Sequence, residues 1–283
     1  MKRMLFFVLA AFVMILGAAA SAPAGTPGSS GLAAQFARPD QTIEYHFMIQ
    51  AADLTEQELE KTLQAKVIAP MKSIAEIGPL GKPRAGMYVD SRDAILEKNS
   101  LIVRVRSGQI TLKARAASPD FLLDLEKCST KKYEMDYFGH PEYSISSDIT
   151  FKAEELDITP ASLTVPALWD FIGKKCPPAY KQIQPVLQRA ATAEIPGSAR
   201  MYGAEVKLVH PLANKAKEAG FTTWFFPPTN RFLVELAYTA YVRDRADTDK
   251  MYNEVQAALK AAGLLKADQS SKTQQYFKAY FGK

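Results

Sequence analysis

Leu101-Ile102-Val103-Arg104-Val105-Arg106-Ser107-Gly108-Gln109-Ile110-Thr111-Leu112-Lys113-Ala114-Arg115 is the stretch that decides the fold of this chain. A β-strand sends successive side chains to opposite faces. Val103 and Val105 therefore oppose Arg104 and Arg106, while Ile110 and Leu112 oppose Lys113 and Arg115. Ser107-Gly108 between the two runs suits a tight turn, so the stretch predicts a β-hairpin with one apolar and one basic face.

The same period recurs on both sides. Thr42 to Ile49 places Ile43, Tyr45, Phe47 and Ile49 opposite Glu44 and His46. Lys132 to Tyr137 sets Tyr133, Met135 and Tyr137 against Lys132, Glu134 and Asp136, and Phe232 to Tyr241 sets Val234, Leu236 and Tyr238 against Glu235. Residues 143–151, 201–209 and 222–226 read as further strands. Thr55 with Glu58 forms a capping box ahead of Leu59, Leu63 and Val67, with Pro70 as the stop. Asp247 suits the cap of a helix carrying Met251, Val255 and Leu259, ended by Gly263. Tyr276, Phe277, Tyr280 and Phe281 form a stripe at helical spacing, expected to dock on the core. A proline-interrupted insertion, helical or irregular, fills roughly 153–196. No repeat and no composition break divides residues 41–283, which read as one domain.

An ordinary antiparallel sheet with its polar face in water gives the same alternation. The identity of the polar residues separates the two cases. A solvated face mixes Ser, Thr, Gln, Lys and Glu, whereas here Arg, Lys and carboxylates repeat at two-residue spacing on consecutive strands.

Tyr88-Val89-Asp90-Ser91, a short segment ending in Leu96, then Leu101 to Arg106 and Thr111-Leu112-Lys113 resemble the CYTH, or triphosphate tunnel metalloenzyme, superfamily. The Lys132, Glu134, Asp136 strand and the Phe232 to Leu236 strand fall in the expected order. The likeness spans most of residues 41–283, but only the block from Tyr88 to Lys113 is specific. It implies an α+β fold: an antiparallel β-barrel, or tunnel, of about eight strands with helices packed outside and charged faces turned inward. It also implies that Arg104, Arg106, Lys113, Arg115 and Lys132 grip phosphate oxygens. Glu44, Glu134, Asp136 and Glu235 would hold Mg²⁺ or Mn²⁺, and the ion with the basic groups would neutralise a phosphoryl group attacked by water.

The departures fall on the acidic half. Where the family reads E-x-E-x-K on its first strand, this chain has Glu44, His46 and Met48, and Glu235 is followed two residues on by Ala237 rather than a second carboxylate. Fewer oxygen ligands weaken a Mg²⁺ site. Three readings compete: a module binding a small phosphorylated or polyanionic ligand with eroded catalysis, a divalent-metal-dependent triphosphatase, and a structural barrel whose Arg–carboxylate pairs fill its own lumen. Buried pairs stabilise little net of desolvation, which favours a ligand over the third.

The remaining features bound the setting. Lys2 and Arg3, the apolar run Leu5 to Leu16 and the small residues Ala18 to Ala22 make residues 1–22 a signal peptide, so an exported protein, periplasmic or extracellular, with no membrane anchor after cleavage is expected. Residues 23–40, rich in Pro, Gly, Ser and Ala, read as a flexible linker. The net charge of +5 falls to +3 once Lys2 and Arg3 are removed. That permits an anionic ligand but argues for no nucleic-acid partner. Cys128 and Cys176 form a candidate disulfide in an oxidising compartment. The three histidines, His46, His140 and His210, have no zinc spacing, and Gly78 to Lys82 is too short for a phosphate-binding loop.

Overall fold

Strands that are apolar on one face and charged on the other must cover the first and shield the second. In this protein the sheet does both by closing. A computed structural model describes residues 29–51, 54–159 and 162–282. Helix α1 (Ser29–Phe36) leads to β1 (Thr42–Ile49). Helix α2 (Leu59–Leu63), extended by a π-helical turn over Gln64–Ile68, precedes β2 (Ala75–Ile77) and β3 (Arg84–Val89). Helix α3 (Ile95–Lys98) is followed by β4 (Leu101–Arg106), β5 (Gln109–Ala116), β6 (Thr130–Tyr137) and β7 (Pro141–Thr150). Helices α4 (Val165–Lys175) and α5 (Pro177–Arg189) come next. The chain ends with β8 (Ala199–Leu208), β9 (Ala216–Phe226), β10 (Arg231–Tyr241), α6 (Arg245–Ala261) and α7 (Lys272–Phe281).

Among the described residues, nine strands pair in the order β8-β3-β4-β5-β7-β6-β1-β10-β9, and β9 returns to β8 to close the ring. The short β2 lies outside it, along the far end of β8. Strands β1 and β6 run parallel, from Thr42–Glu134 to Tyr45–Tyr137, and the other described pairs are antiparallel. The α+β tunnel expected from the sequence is therefore present, with nine strands in its ring and one parallel seam. Gly108 at φ 74° makes the turn between β4 and β5, a left-handed conformation that costs glycine little.

The apolar faces point outward under helices. Ile43, Tyr45 and Phe47 pack with Met251, Tyr252, Val255 and Leu259 of α6. Val103, Val105, Ile110, Leu112 and Ile145 pack under Leu168 and Ile172 of α4 and Ala179, Ile183 and Leu187 of α5. Burying each aliphatic side chain contributes about 1.5–3 kcal/mol, which supports a ring whose interior is charged. In a third cluster, Met48, Tyr88, Trp224 and Phe226 meet Tyr276 and Phe277 of α7.

Several local expectations change. The end of the segment read as a linker is packed: residues 29–36 are helical, and Phe36 is buried with its ring 5.2 Å from that of Tyr143 and 5.8 Å from that of Tyr133. A lone aromatic in a small-residue stretch carries no periodic signal, which is why composition missed it. The Thr55 capping box is not formed, since α2 starts after Glu58 without a side-chain cap. Helix α6 begins at Arg245, so Asp247 sits in its first turn rather than at its cap. Cys128 and Cys176 are disulfide-bonded, tying the approach to β6 to the junction of α4 and α5. The signal peptide expected at residues 1–22 lies outside the described residues. Among the described residues, no helix is long and apolar enough to cross a membrane.

Candidate functional site

Small residues on β7 let long ones meet across it. Ser146 is the register partner of Lys113 on one side and Lys132 on the other, and Ser144 of Arg115 and Glu134. Lys113 therefore reaches over β7 to Asp136, Nζ to Oδ2 at 3.0 Å, and Arg115 Nη2 donates to the same oxygen at 2.9 Å. Lys113 also lies 3.7 Å from Glu134, and Arg115 lies 3.4 Å from Glu142. Burial disfavours the Asp136 carboxylate, but Lys113, Arg115 and His46 overcome this and hold its pKa well below the usual range.

On β1, His46 is 2% exposed and stacks on Phe138 at 4.3 Å. Its Nδ1 lies 2.8 Å from Glu235 Oε1. Its Nε2 lies 3.5 Å from Asp136 Oδ1 and 3.8 Å from Glu44 Oε2, ion-pair distances longer than a good hydrogen bond. Burial opposes charge on the ring, yet Glu44, Asp136 and Glu235 together push its pKa up to about 9. His46 is thus an imidazolium at neutral pH, held among three carboxylates from three strands.

Behind it, Glu235 is 1% exposed. Its Oε2 accepts from Lys272 Nζ at 2.7 Å and from Thr222 Oγ1 at 3.1 Å. Burial raises the Glu235 pKa, but Lys272 and His46 outweigh it and bring it to about 2. Burial likewise disfavours the Lys272 ammonium, while Glu235 and Glu44 raise its pKa above the ordinary lysine value. Lys272 is the first residue of α7. The Ser271–Gln274 capping box fixes that helix start, and the Tyr276 hydroxyl bonds the Gly197 carbonyl.

Arg104, Arg106 and Lys132 differ from these. Among the described residues, none of the three has a carboxylate at ion-pair distance. Arg104 Nη2 makes a long 3.4 Å contact with Thr111 Oγ1, and its Nε is buried without a partner. Arg106 donates to the Gln109 side chain. Burial, and then the neighbouring Arg104 charge, push the Arg106 pKa down to about 10, against the opposing pull of Asp148.

All five sequence-predicted phosphate ligands, Arg104, Arg106, Lys113, Arg115 and Lys132, line one cavity of about 290 Å³, together with Glu44, His46, Glu134 and Asp136. Glu235 is the exception among the predicted acidic residues. It stands behind His46 and Lys272 and is not on the cavity wall. The structure also divides the basic set, because Lys113 and Arg115 are paired internally. Two charged wall groups escaped the sequence reading. Asp148, which accepts from Thr111 Oγ1 at 2.7 Å and Thr130 Oγ1 at 3.0 Å, was legible in the alternation of β7. Lys272 was not, since a lysine at a helix start carries no strand period.

Glu44, His46 and Asp136 each offer one ligand atom, all within 4.8 Å of one another, so this group is capable of holding a metal ion. The fit to Mg²⁺ is poor. That ion wants oxygen ligands in an octahedral array. Both Glu235 oxygens are taken, Asp136 Oδ2 is shared by Lys113 and Arg115, and the charged His46 ring lies between Asp136 Oδ1 and Glu44. The protein's own cations already engage these oxygens.

No family model and no curated protein matches this chain. Solved structures are similar in the course of the chain. A Hippeastrum protein, provisionally assigned as an adenylyl cyclase and described as having a dominant triphosphatase activity, shares 9% identity over 82% of this chain and 93% of its own, at a TM-score of 0.44. A provisionally assigned adenylate cyclase of Bacillus halodurans shares 11% over 84% and 98%, at 0.42. One from Vibrio parahaemolyticus shares 11% over the same fractions, at 0.36. At these identities the likeness says nothing of individual side chains.

Proposed function

We propose that the tunnel binds a small phosphorylated or polyphosphate anion on Arg104, Arg106 and Lys132, in a protein exported from the cytoplasm, and that Mg²⁺-dependent triphosphate hydrolysis is not its activity. One observation carries this reading. Among the described residues, these three cations line the cavity with no carboxylate at ion-pair distance, and Arg104 Nε is buried without a partner. Guanidinium groups donate in a planar fork suited to phosphate oxygens, and an anion entering here relieves the Arg104–Arg106 repulsion. The Cys128–Cys176 bond supports export, since such bonds persist in oxidising compartments.

A second reading, a metal-dependent triphosphatase, is favoured by the Glu44, His46 and Asp136 group alone. One experiment decides. The purified protein is titrated calorimetrically with tripolyphosphate, and phosphate release is followed with and without Mg²⁺ or Mn²⁺. Binding without release supports the binding module. Metal-dependent release that is lost in Lys113→Ala supports the hydrolase, and no heat and no release under any condition overturns both.

A further inference from the structure

The acidic half of the lumen is already held by the protein's own cations. Five carboxylates, Glu44, Glu134, Asp136, Glu142 and Glu235, lie at ion-pair distance from His46, Lys113, Arg115 and Lys272. Three of those cations come from barrel strands. The fourth does not. On β1 the residue opposite Glu235 is Met48, fully buried in the aromatic cluster with Tyr88 and Trp224, so this strand supplies Glu235 with no charge from that position. The charge arrives from α7, where Lys272 enters the lumen and Thr273 joins the cavity wall. Main-chain and side-chain bonds hold the approach: Gln269 bonds both the N–H and the carbonyl of Met48, and Ser271 caps the helix.

We infer that Lys272 is a tethered substitute for a divalent cation, so that the start of the C-terminal helix belongs to the binding site and the anion is bound without metal. This rests on the polyanion reading above. An ammonium 2.7 Å from Glu235 cancels a charge that would otherwise repel an incoming phosphate across a low-dielectric cavity. It is a single fixed charge, already in place before the ligand arrives and therefore preorganised. Without it the lumen regains an uncompensated carboxylate beside Glu44 and Asp136, and an added divalent ion then has a reason to bind.

The test uses the full chain and tripolyphosphate in calorimetry, in EDTA and in Mn²⁺, with Mn²⁺ electron paramagnetic resonance as a second readout. The wild type is expected to bind at least as tightly in EDTA as in Mn²⁺ and to leave Mn²⁺ free when no ligand is present. Lys272→Met is expected to bind at least tenfold more weakly in EDTA, to recover in Mn²⁺ and to capture the ion. Lys272→Arg, which keeps the charge, is expected to bind in EDTA more tightly than Lys272→Met and to leave Mn²⁺ free. A wild type that binds only with Mn²⁺, or a folded Lys272→Met that binds in EDTA as wild type does, overturns the inference while leaving a polyanion site standing. Absence of binding in both buffers instead removes the polyanion reading itself. Should Lys272→Met not fold, the wild-type comparison and Lys272→Arg still decide: loss of EDTA binding in the arginine variant counts against a role for charge.

Discussion

Raising the pH should unlock the lumen at one residue. His46 has a folded pKa of about 9 against 6.5 for a free imidazole, because Glu44 and Asp136 face its Nε2 and Glu235 its Nδ1. A group whose pKa is raised on folding contributes stability that is fully present below the unfolded value and is lost as pH rises through the folded one. The shift is worth about 3 kcal/mol, at roughly 1.4 kcal/mol for each pH unit. Most of that is lost between pH 6.5 and 9, at a slope of about 1 kcal/mol per pH unit in the middle of the window. The buried tyrosines and Lys272, whose pKa values are also raised, lose their contributions only above their unfolded values near 10, so the window belongs to His46. Urea unfolding at half-unit intervals of pH, with constant m, gives the stability directly. In His46→Gln the slope should vanish across this window while Lys272 and Thr222 keep Glu235 satisfied. A flat wild-type profile, or an equal slope in His46→Gln, would refute the imidazolium assignment and the filled-site account with it.

Arg104→Ala and Arg106→Ala should each weaken tripolyphosphate binding by about tenfold or more at low salt, since a hydrogen bond to a charged group is worth about 1.5–3 kcal/mol; unchanged calorimetric dissociation constants would remove both from the site. Reducing the Cys128–Cys176 bond, which closes a loop of 48 residues, should cost about 4 kcal/mol by loop-closure entropy, read as a lowered urea midpoint with dithiothreitol. Phe36→Ala should destabilise by about 3 kcal/mol, because its ring is buried against Tyr133 and Tyr143; a change below ~0.5 kcal/mol would return residues 29–36 to the status of a tether.

The strands were legible because alternation is a local signal that a barrel does not alter. Arg104 and Arg106 face the lumen for the same reason that Val103 and Val105 face α4 and α5. The closure was not legible from any one strand. It depends on β1 lying between β6 and β10, a pairing between segments almost 200 residues apart that only the family likeness anticipated. Within the site, the basic wall was read correctly as a set but not in its division. Whether Lys113 is paired or unpaired depends on Ser144 and Ser146 leaving room above β7, and small residues announce nothing by themselves.

The acidic half shows a different limit. From the sequence, His46 and Met48 are two losses from a metal site. In the structure, His46 lies at ion-pair distance from Glu44, Asp136 and Glu235, and the lysine that reaches Glu235 stands 224 positions after Met48, at Lys272. Loss and replacement lie on separate elements, so no pattern along the chain joins them. What joins them is the cost of an unpaired buried carboxylate. Once Glu235 sits under the sheet at 1% exposure, a cation must reach it or the barrel loses several kcal/mol. A metal ion meets that demand only while it is bound. A tethered ammonium and an imidazolium meet it at all times below about pH 9.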